Sequence, residues 1–324
     1  MHFNFISLPQ KRMDCRDRIP TKLGFGQGLV ELGHKYPNVL CLGADITTSV
    51  GMNLFKEAFP ERFFSFGIAE QNIAAVAAGL ALSEKIPFFS TYGVFASMRC
   101  ADQIRVSVCY NNLPVKIGGA HAGISVGPDG ATHQALEDLA VMRALPGMLV
   151  LSPCDATQTR LATIAAVEQW KGPAYIRFGR EAMPDFTDVN QEFRVGKGQI
   201  LRDGSDISLI GTGHLTWECL LAAEILSGKG ISARVVNIHT IKPIDTELII
   251  ACARETGKLV TAEEHQIFGG LGSAVAEVIC QFHPAPVRMV AMPDCFGESG
   301  DPLVLMKKYG LSAANIVVKA LEML

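Results

Sequence analysis

Short β-rich runs alternating with helical segments constrain this chain more than any other feature. Apolar runs fall at 39–43, 63–66, 87–91, 114–118, 148–151 and 174–178, with helical periodicity near 22–35, 50–58, 70–83, 95–109, 133–143 and 155–169. That alternation predicts a parallel sheet covered by helices. The runs lack a clean polar alternation, as strands buried on both faces do. Residues 181–199, EAMPDFTDVNQEFRVGKGQ, are polar and aperiodic. The pattern then restarts, with strands expected at 207–210, 234–238, 259–262 and 287–291 and helices at 215–227, 245–255, 271–281, 301–308 and 312–322. The expected fold class is α/β, with two consecutive domains over 1–190 and 191–324, each a mostly parallel sheet flanked by helices. A length of 324 residues suits two domains at roughly 150 residues each.

Composition narrows the function. With 29 Lys and Arg against 32 Asp and Glu the formal charge is −3, which argues against a nucleic-acid binder or a polybasic membrane protein. Hydrophobic residues reach 48% and charged residues only 19%, so disorder is excluded and heavy internal burial or a large subunit interface is expected. No apolar run approaches the ~18 residues that cross a bilayer. The N-terminus, MHFNFISLPQKRMDCRDR, reads as no signal peptide. The 9 scattered cysteines form no CxxC pair and suit reduced thiols in a cytoplasmic protein.

Two segments carry candidate chemistry. In GIAEQN, Glu70 opens a helix of small apolar residues, IAAVAAGLAL. A first-turn acid can simply stabilise its helix. An almost wholly apolar helix behind it instead points to a buried carboxylate, which needs a partner or a raised pKa. The second segment, HAGISVGPDGATHQ, brings His121, Asp129 and His133 onto one glycine-rich loop after a predicted strand, where α/β proteins bind ligands. Histidines there can bind oxygens and move protons. The plainer reading makes Asp129 a turn cap and His133 a helix cap. A zinc site is disfavoured, because the 12-residue spacing of His121 and His133 has no nearby HxxxH or cysteine pair to complete it.

Other groups read two ways. Phe88, Phe89, Tyr92 and Phe95 suit a core, or a surface for stacking on a flat ring. Arg177 and Arg180, in YIRFGRE, can clamp a phosphate or carboxylate, or form surface pairs with Glu181 or Asp185. The glycines of FGGLGSA, which opens a helix at 268–274, are better explained by close packing than by a nucleotide, since neither GxGxxG nor GxxxxGK[ST] is present. His265 reads as a structural hydrogen-bonding residue.

Together GIAEQN at 67–72, HAGISVGPDGATHQ at 121–134, FGRE at 178–181 and EEHQIFGGLGSAV at 263–275 resemble the C-terminal half of a transketolase, over essentially the whole chain. The resemblance implies a pyrimidine-binding domain followed by a transketolase C-terminal domain. It implies thiamine diphosphate as cofactor, lying between two chains. The GDG…Asn motif that binds diphosphate and metal is not found. The resemblance therefore implies a split enzyme: an N-terminal partner subunit holds the diphosphate and Mg2+ or Ca2+, this chain binds no metal, and homodimer contacts build an α2β2 assembly.

By position, Glu70 matches the glutamate that bonds N1′ of the aminopyrimidine and exchanges a proton with it. Phe95 and Tyr92 match aromatics that pack on that ring, and Met98 falls where the family often has a third. Asp45 lies near the cofactor across the subunit interface. His121, Asp129 and His133 match substrate-channel residues that bind sugar hydroxyls and assist proton transfer. Arg180 and Ser49 match phosphate contacts, and a second phosphate-binding arginine falls on Lys22. The implied reaction transfers a two-carbon ketol unit from a ketose phosphate to an aldose. Alternatives are a 1-deoxyxylulose-5-phosphate synthase-like protein, the β subunit of a 2-oxo acid dehydrogenase, and a non-enzymatic remnant that only binds a partner.

Overall fold

The computed structural model describes residues 18–324. The start of the first expected domain and most of the stretch read for a signal peptide lie outside the described residues. The described strands are β1 (Arg18–Pro20), β2 (Val39–Gly43), β3 (Phe63–Ser65), β4 (Ile86–Tyr92), β5 (Lys116–Ala120), β6 (Leu149–Leu151), β7 (Ala174–Arg177), β8 (Ala182–Pro184), β9 (Gln199–Arg202), β10 (Ile207–Gly211), β11 (Ala233–Asn237), β12 (Thr240–Lys242), β13 (Leu259–Gln266) and β14 (Val287–Met292). The helices are α1 (Thr21–Lys35), α2 (Asn53–Ala58), α3 (Glu70–Leu82), α4 (Asp138–Ala144), α5 (Ala156–Glu168), α6 (Leu215–Ser227), α7 (Thr246–Thr256), α8 (Leu271–Phe282), α9 (Pro302–Lys308) and α10 (Ala313–Leu321). Residues 95–109 form a further helical stretch with two wide π turns around a short α segment.

Two sheets organise the chain. The first has seven strands in the order β12-β6-β7-β5-β4-β2-β3, and the second has five in the order β14-β13-β10-β11-β9. Pairing is parallel throughout both, except that β12 runs antiparallel to β6 and β9 antiparallel to β11. Every residue of β2, β5, β6, β7, β10 and β11 is buried, which explains why these strands lack a regular polar alternation. Helix starts follow local chemistry. Asp155 accepts from Gln158 N at α5, and Asp245 from Leu248 N at α7. Asp301 caps α9, with Pro302 at its first position. Gly24 and Gly28 let α1 lie against α5, since a Cβ at either would overlap Ala156 or Thr163.

Three features depart from the expectation. First, β12 follows the polar break yet completes the edge of the first sheet, so the two sheets are stitched together. Second, β8 lies within the supposedly aperiodic segment and pairs with β1. Third, the helix expected over 133–143 begins only at Asp138. Ala135 is held in an extended bridge with Ala122, and the Gln134 side chain is tied to the Ile124 and Glu298 carbonyls. His133 is therefore a turn residue and not a helix cap.

Candidate active site

The sequence-derived residues meet at the carboxyl ends of the parallel strands, where chain reversals leave backbone and side chains open to a ligand. The turn after β2 carries Asp45 and Ser49, and β3 leads through Gly67 into Glu70. β4 ends on Tyr92 and continues to Phe95, His121 directly follows β5, and Arg180 follows β7.

Glu70, the first residue of α3, is only 3% exposed. Thr91 Oγ1 donates to its Oε1 at 3.3 Å, and Arg99 Nη1 donates to its Oε2 at 2.8 Å. The partner that a buried carboxylate requires is thus Arg99, which the sequence reading did not single out. Its guanidinium also sits 3.9 Å from the Phe95 ring centroid. Their i, i+4 spacing was readable as a same-face pair, but the approach to Glu70 depends on the packing of two separate helical segments.

An aromatic cluster lies alongside. The Tyr92 ring meets His121 edge-on at 4.9 Å and His133 at 5.0 Å, while Phe95 meets His133 at 5.2 Å. Met98 is 45% exposed at the rim. His121 is wholly buried and takes a left-handed backbone, φ 52°. Its Nε2 lies 2.8 Å from Ser49 Oγ, whereas its Nδ1 is buried with no hydrogen-bond partner among the described residues. Burial, helped by the nearby Lys22 and Arg180 charges, lowers its pKa to about 4, so the ring is neutral at physiological pH.

A consequence can be measured. The unfolded histidine takes up its proton near 6.5 and the folded one near 4, so acid favours the unfolded chain across that window. His121→Asn, which tolerates the left-handed backbone, removes this penalty. Between pH 7 and pH 5 the variant should gain ~2 kcal/mol relative to wild type. Urea melts at both pH values check this; an unchanged difference would contradict a buried neutral ring.

Asp129 accepts from Tyr92 Oη at 2.9 Å and from Arg180 Nη1 at 3.0 Å. Burial alone would raise its pKa, but those two hydrogen bonds and the Arg180 charge outweigh that effect and hold it below the usual value. Arg180 therefore pairs with Asp129, not with Glu181 or Asp185. Arg177 is no ligand clamp: it is buried, with Nε on both Asp138 oxygens and Nη2 on the carbonyls of Ala135 and Glu264. Asp45 stands apart, exposed at φ 67°, with no hydrogen bond or ion pair among the described residues.

The second domain shapes this site without entering it. Glu264 on β13 accepts from Ser125 N at 2.6 Å, anchoring the loop that carries Asp129. Gly300 N donates to Gly127 O at 3.4 Å, and Pro302 lies against Gly127. Glu263 accepts from the amides of Leu271 and Gly272 at the start of α8, so an internal carboxylate occupies that glycine-rich helix end. His265 is buried between Ala140 N and Gln266 O. Among the described residues no three His, Cys, Asp or Glu side chains converge to hold a metal.

The fold and this cluster define an α/β chain with a polar and aromatic site at the carboxyl ends of a parallel sheet, and comparison with known proteins fixes its family. The pattern of the transketolase pyrimidine binding domain matches residues 17–185 and that of the transketolase C-terminal domain matches residues 196–316; the chain belongs to the transketolase family. A solved split-gene transketolase, described as an inactive β4 tetramer, superposes with a TM-score of 0.88 at 48% identity, covering 94% of this chain and 98% of that one. The 6-deoxy-6-sulfo-D-fructose transketolase subunit SqwH of Clostridium sp. (strain MSTE9) is 42% identical over 91% of each chain. The 1-deoxy-D-xylulose-5-phosphate synthase of Pelotomaculum thermopropionicum is 36% identical, and the match spans 48% of its length. The chain thus corresponds to the C-terminal section of a split transketolase.

Proposed function

We propose that this chain is the C-terminal subunit of a thiamine-diphosphate-dependent transketolase, active only with an N-terminal subunit, and that its two domains divide near residue 190. The observation that carries the reading is the buried Glu70 carboxylate beside Phe95, Tyr92 and Met98, opening toward His121, Asp129 and Arg180. A carboxylate, an aromatic face and a polarizable rim suit a flat aminopyrimidine. The buried, unpartnered Nδ1 of His121 suits a ligand oxygen. When bound, thiamine diphosphate supplies an electron sink for breaking and remaking a C–C bond beside a carbonyl.

In this reading Glu70 holds and exchanges a proton at the ring nitrogen N1′. Tyr92, Phe95 and Met98 hold the ring's orientation, and Asp45 lies near the cofactor across the subunit interface. Neutral His121, oriented by Ser49, hydrogen-bonds a sugar hydroxyl, and His133 assists proton movement. Asp129 accepts from a second hydroxyl, while Arg180, Ser49 and Lys22 receive the substrate's anionic end. Diphosphate and Mg2+ or Ca2+ fall to the N-terminal subunit. Exposed Ile68 and Met98 beside the site suit burial against that subunit in an α2β2 assembly. The unpaired thiols among the described residues suit the cytoplasm. No described helix is long and apolar enough to cross a membrane.

Incubating the assembled protein with xylulose 5-phosphate and ribose 5-phosphate, or with pyruvate and glyceraldehyde 3-phosphate, tests the reading. Two-carbon transfer is expected in the first mixture only; activity only with pyruvate overturns it. Arg180→Ala should raise KM for a phosphorylated donor ~10-fold or more with a smaller change in kcat, the pattern of lost uniform binding. Initial rates across donor concentration measure this, and an unchanged KM removes Arg180 from the anion site.

A further inference from the structure

We propose that Arg99 is a displaceable stand-in for the cofactor ring: in the chain by itself its guanidinium fills the space between Phe95 and Glu70, and the cofactor must exchange it out. This rests on the reading of Glu70 and Phe95 as the ring site.

A bound aminopyrimidine needs two things there, the face of an aromatic ring and a carboxylate oxygen aimed at its edge. Arg99 takes both, at 3.9 Å from the Phe95 centroid and 2.8 Å from Glu70 Oε2. A guanidinium resembles an aminopyrimidine in the relevant respects, being flat, π-delocalised and edged with N–H donors. At stacking distance no second flat group fits between it and Phe95.

The arrangement is also built to open. The Arg99 side chain is 41% exposed, whereas Glu70 is 3% exposed. The guanidinium can therefore swing to water on its flexible stem while the carboxylate stays in place. Part-exposed ion pairs and cation–π contacts are individually weak, so displacement costs little. Arg99 thus occupies the ring's place against Phe95 and Glu70 until ring and partner arrive together.

Calorimetric titration of thiamine diphosphate with Mg2+ into the complex of this chain and its N-terminal subunit tests the proposal. Arg99→Met keeps the stem and removes both charge and plane. It should tighten cofactor binding ~5- to 30-fold. Arg99→Lys, which keeps the charge but loses the flat fork, should tighten it less. In a Glu70→Gln background Arg99→Met should have under half the effect on the logarithm of affinity, because one side of the clasp is already weakened. Unchanged or weaker binding in Arg99→Met overturns the proposal and makes Arg99 a support of the ring. If Arg99→Met does not fold, Arg99→Lys decides on the same sign. Glu70→Ala and Phe95→Ala separate the two levels. If both bind cofactor like wild type, the ring site itself is misplaced. If both bind weakly while the Arg99 variants do not tighten, only the stand-in role fails.

Discussion

Replacing Glu70 by Ala in the assembled enzyme lowers kcat by ~10²–10⁴, the usual cost of losing positioned acid–base assistance. The expectation follows from burial and placement. Glu70 opens α3 at the carboxyl end of the sheet, 3% exposed, and its two oxygens meet only Thr91 and Arg99 among the described hydrogen bonds. A carboxylate kept from water in this way has no purely structural need that Ala would violate beyond freeing Arg99, which is already part-exposed. The variant should therefore fold and assemble while turnover falls. Steady-state rates with saturating cofactor, alongside a melting curve, measure both. Turnover near wild type would remove Glu70 from the chemistry.

Asp138→Ala, by contrast, lowers stability by about 3–5 kcal/mol, the range for breaking a buried ion pair at one partner. Asp138 and the Arg177 side chain are nearly inaccessible, at 0% and 7% exposure. Asp138 takes Nε of Arg177 through both oxygens and also the Tyr175 hydroxyl at 2.8 Å. Without it the guanidinium stays buried with only carbonyls for company. One of those carbonyls belongs to Glu264, so the strut also joins β7 to β13 across the two sheets. Adding Arg177→Met to Asp138→Ala should restore part of the loss, since no unpaired charge then remains buried. Urea unfolding of both variants measures this, and a loss under ~1 kcal/mol for Asp138→Ala would contradict the buried-strut assignment.

Much of this was legible in the sequence, for reasons specific to the residues. β2 reads VLCLG and is buried at every position, so its apolar run marked it within a residue. Helices such as Leu215–Ser227 announced themselves by composition and length. The site loop stood out because His121, Asp129 and His133 share a glycine-rich turn after a strand, and the structure gathers His121 and His133 around Tyr92 and bonds Asp129 to it. What was missed depends on long-range packing. β12 has only three residues, and nothing local shows that it completes a sheet begun far earlier in the chain, at Val39. Arg99 and Glu70 are 29 residues apart on different elements. Arg177 and Arg180 look alike in YIRFGRE, yet β7 points one inward and leaves the other at the mouth. The turn at 130–137 hid a later helix start, because side-chain and bridge contacts to Ala122, Ile124 and Glu298 override helical periodicity there.

The measurement that bears most directly on the central claim is ketol transfer by each chain alone and by the two mixed. This chain, the N-terminal subunit carrying the diphosphate site, and graded mixtures of the two are assayed with thiamine diphosphate, Mg2+, xylulose 5-phosphate and ribose 5-phosphate. Neither chain alone should turn over. Activity should rise with added partner to a plateau at one-to-one stoichiometry and disappear when thiamine diphosphate is omitted. Turnover by this chain alone, or none in the mixture from properly folded chains that associate, would contradict the reading of half an active site completed by a partner.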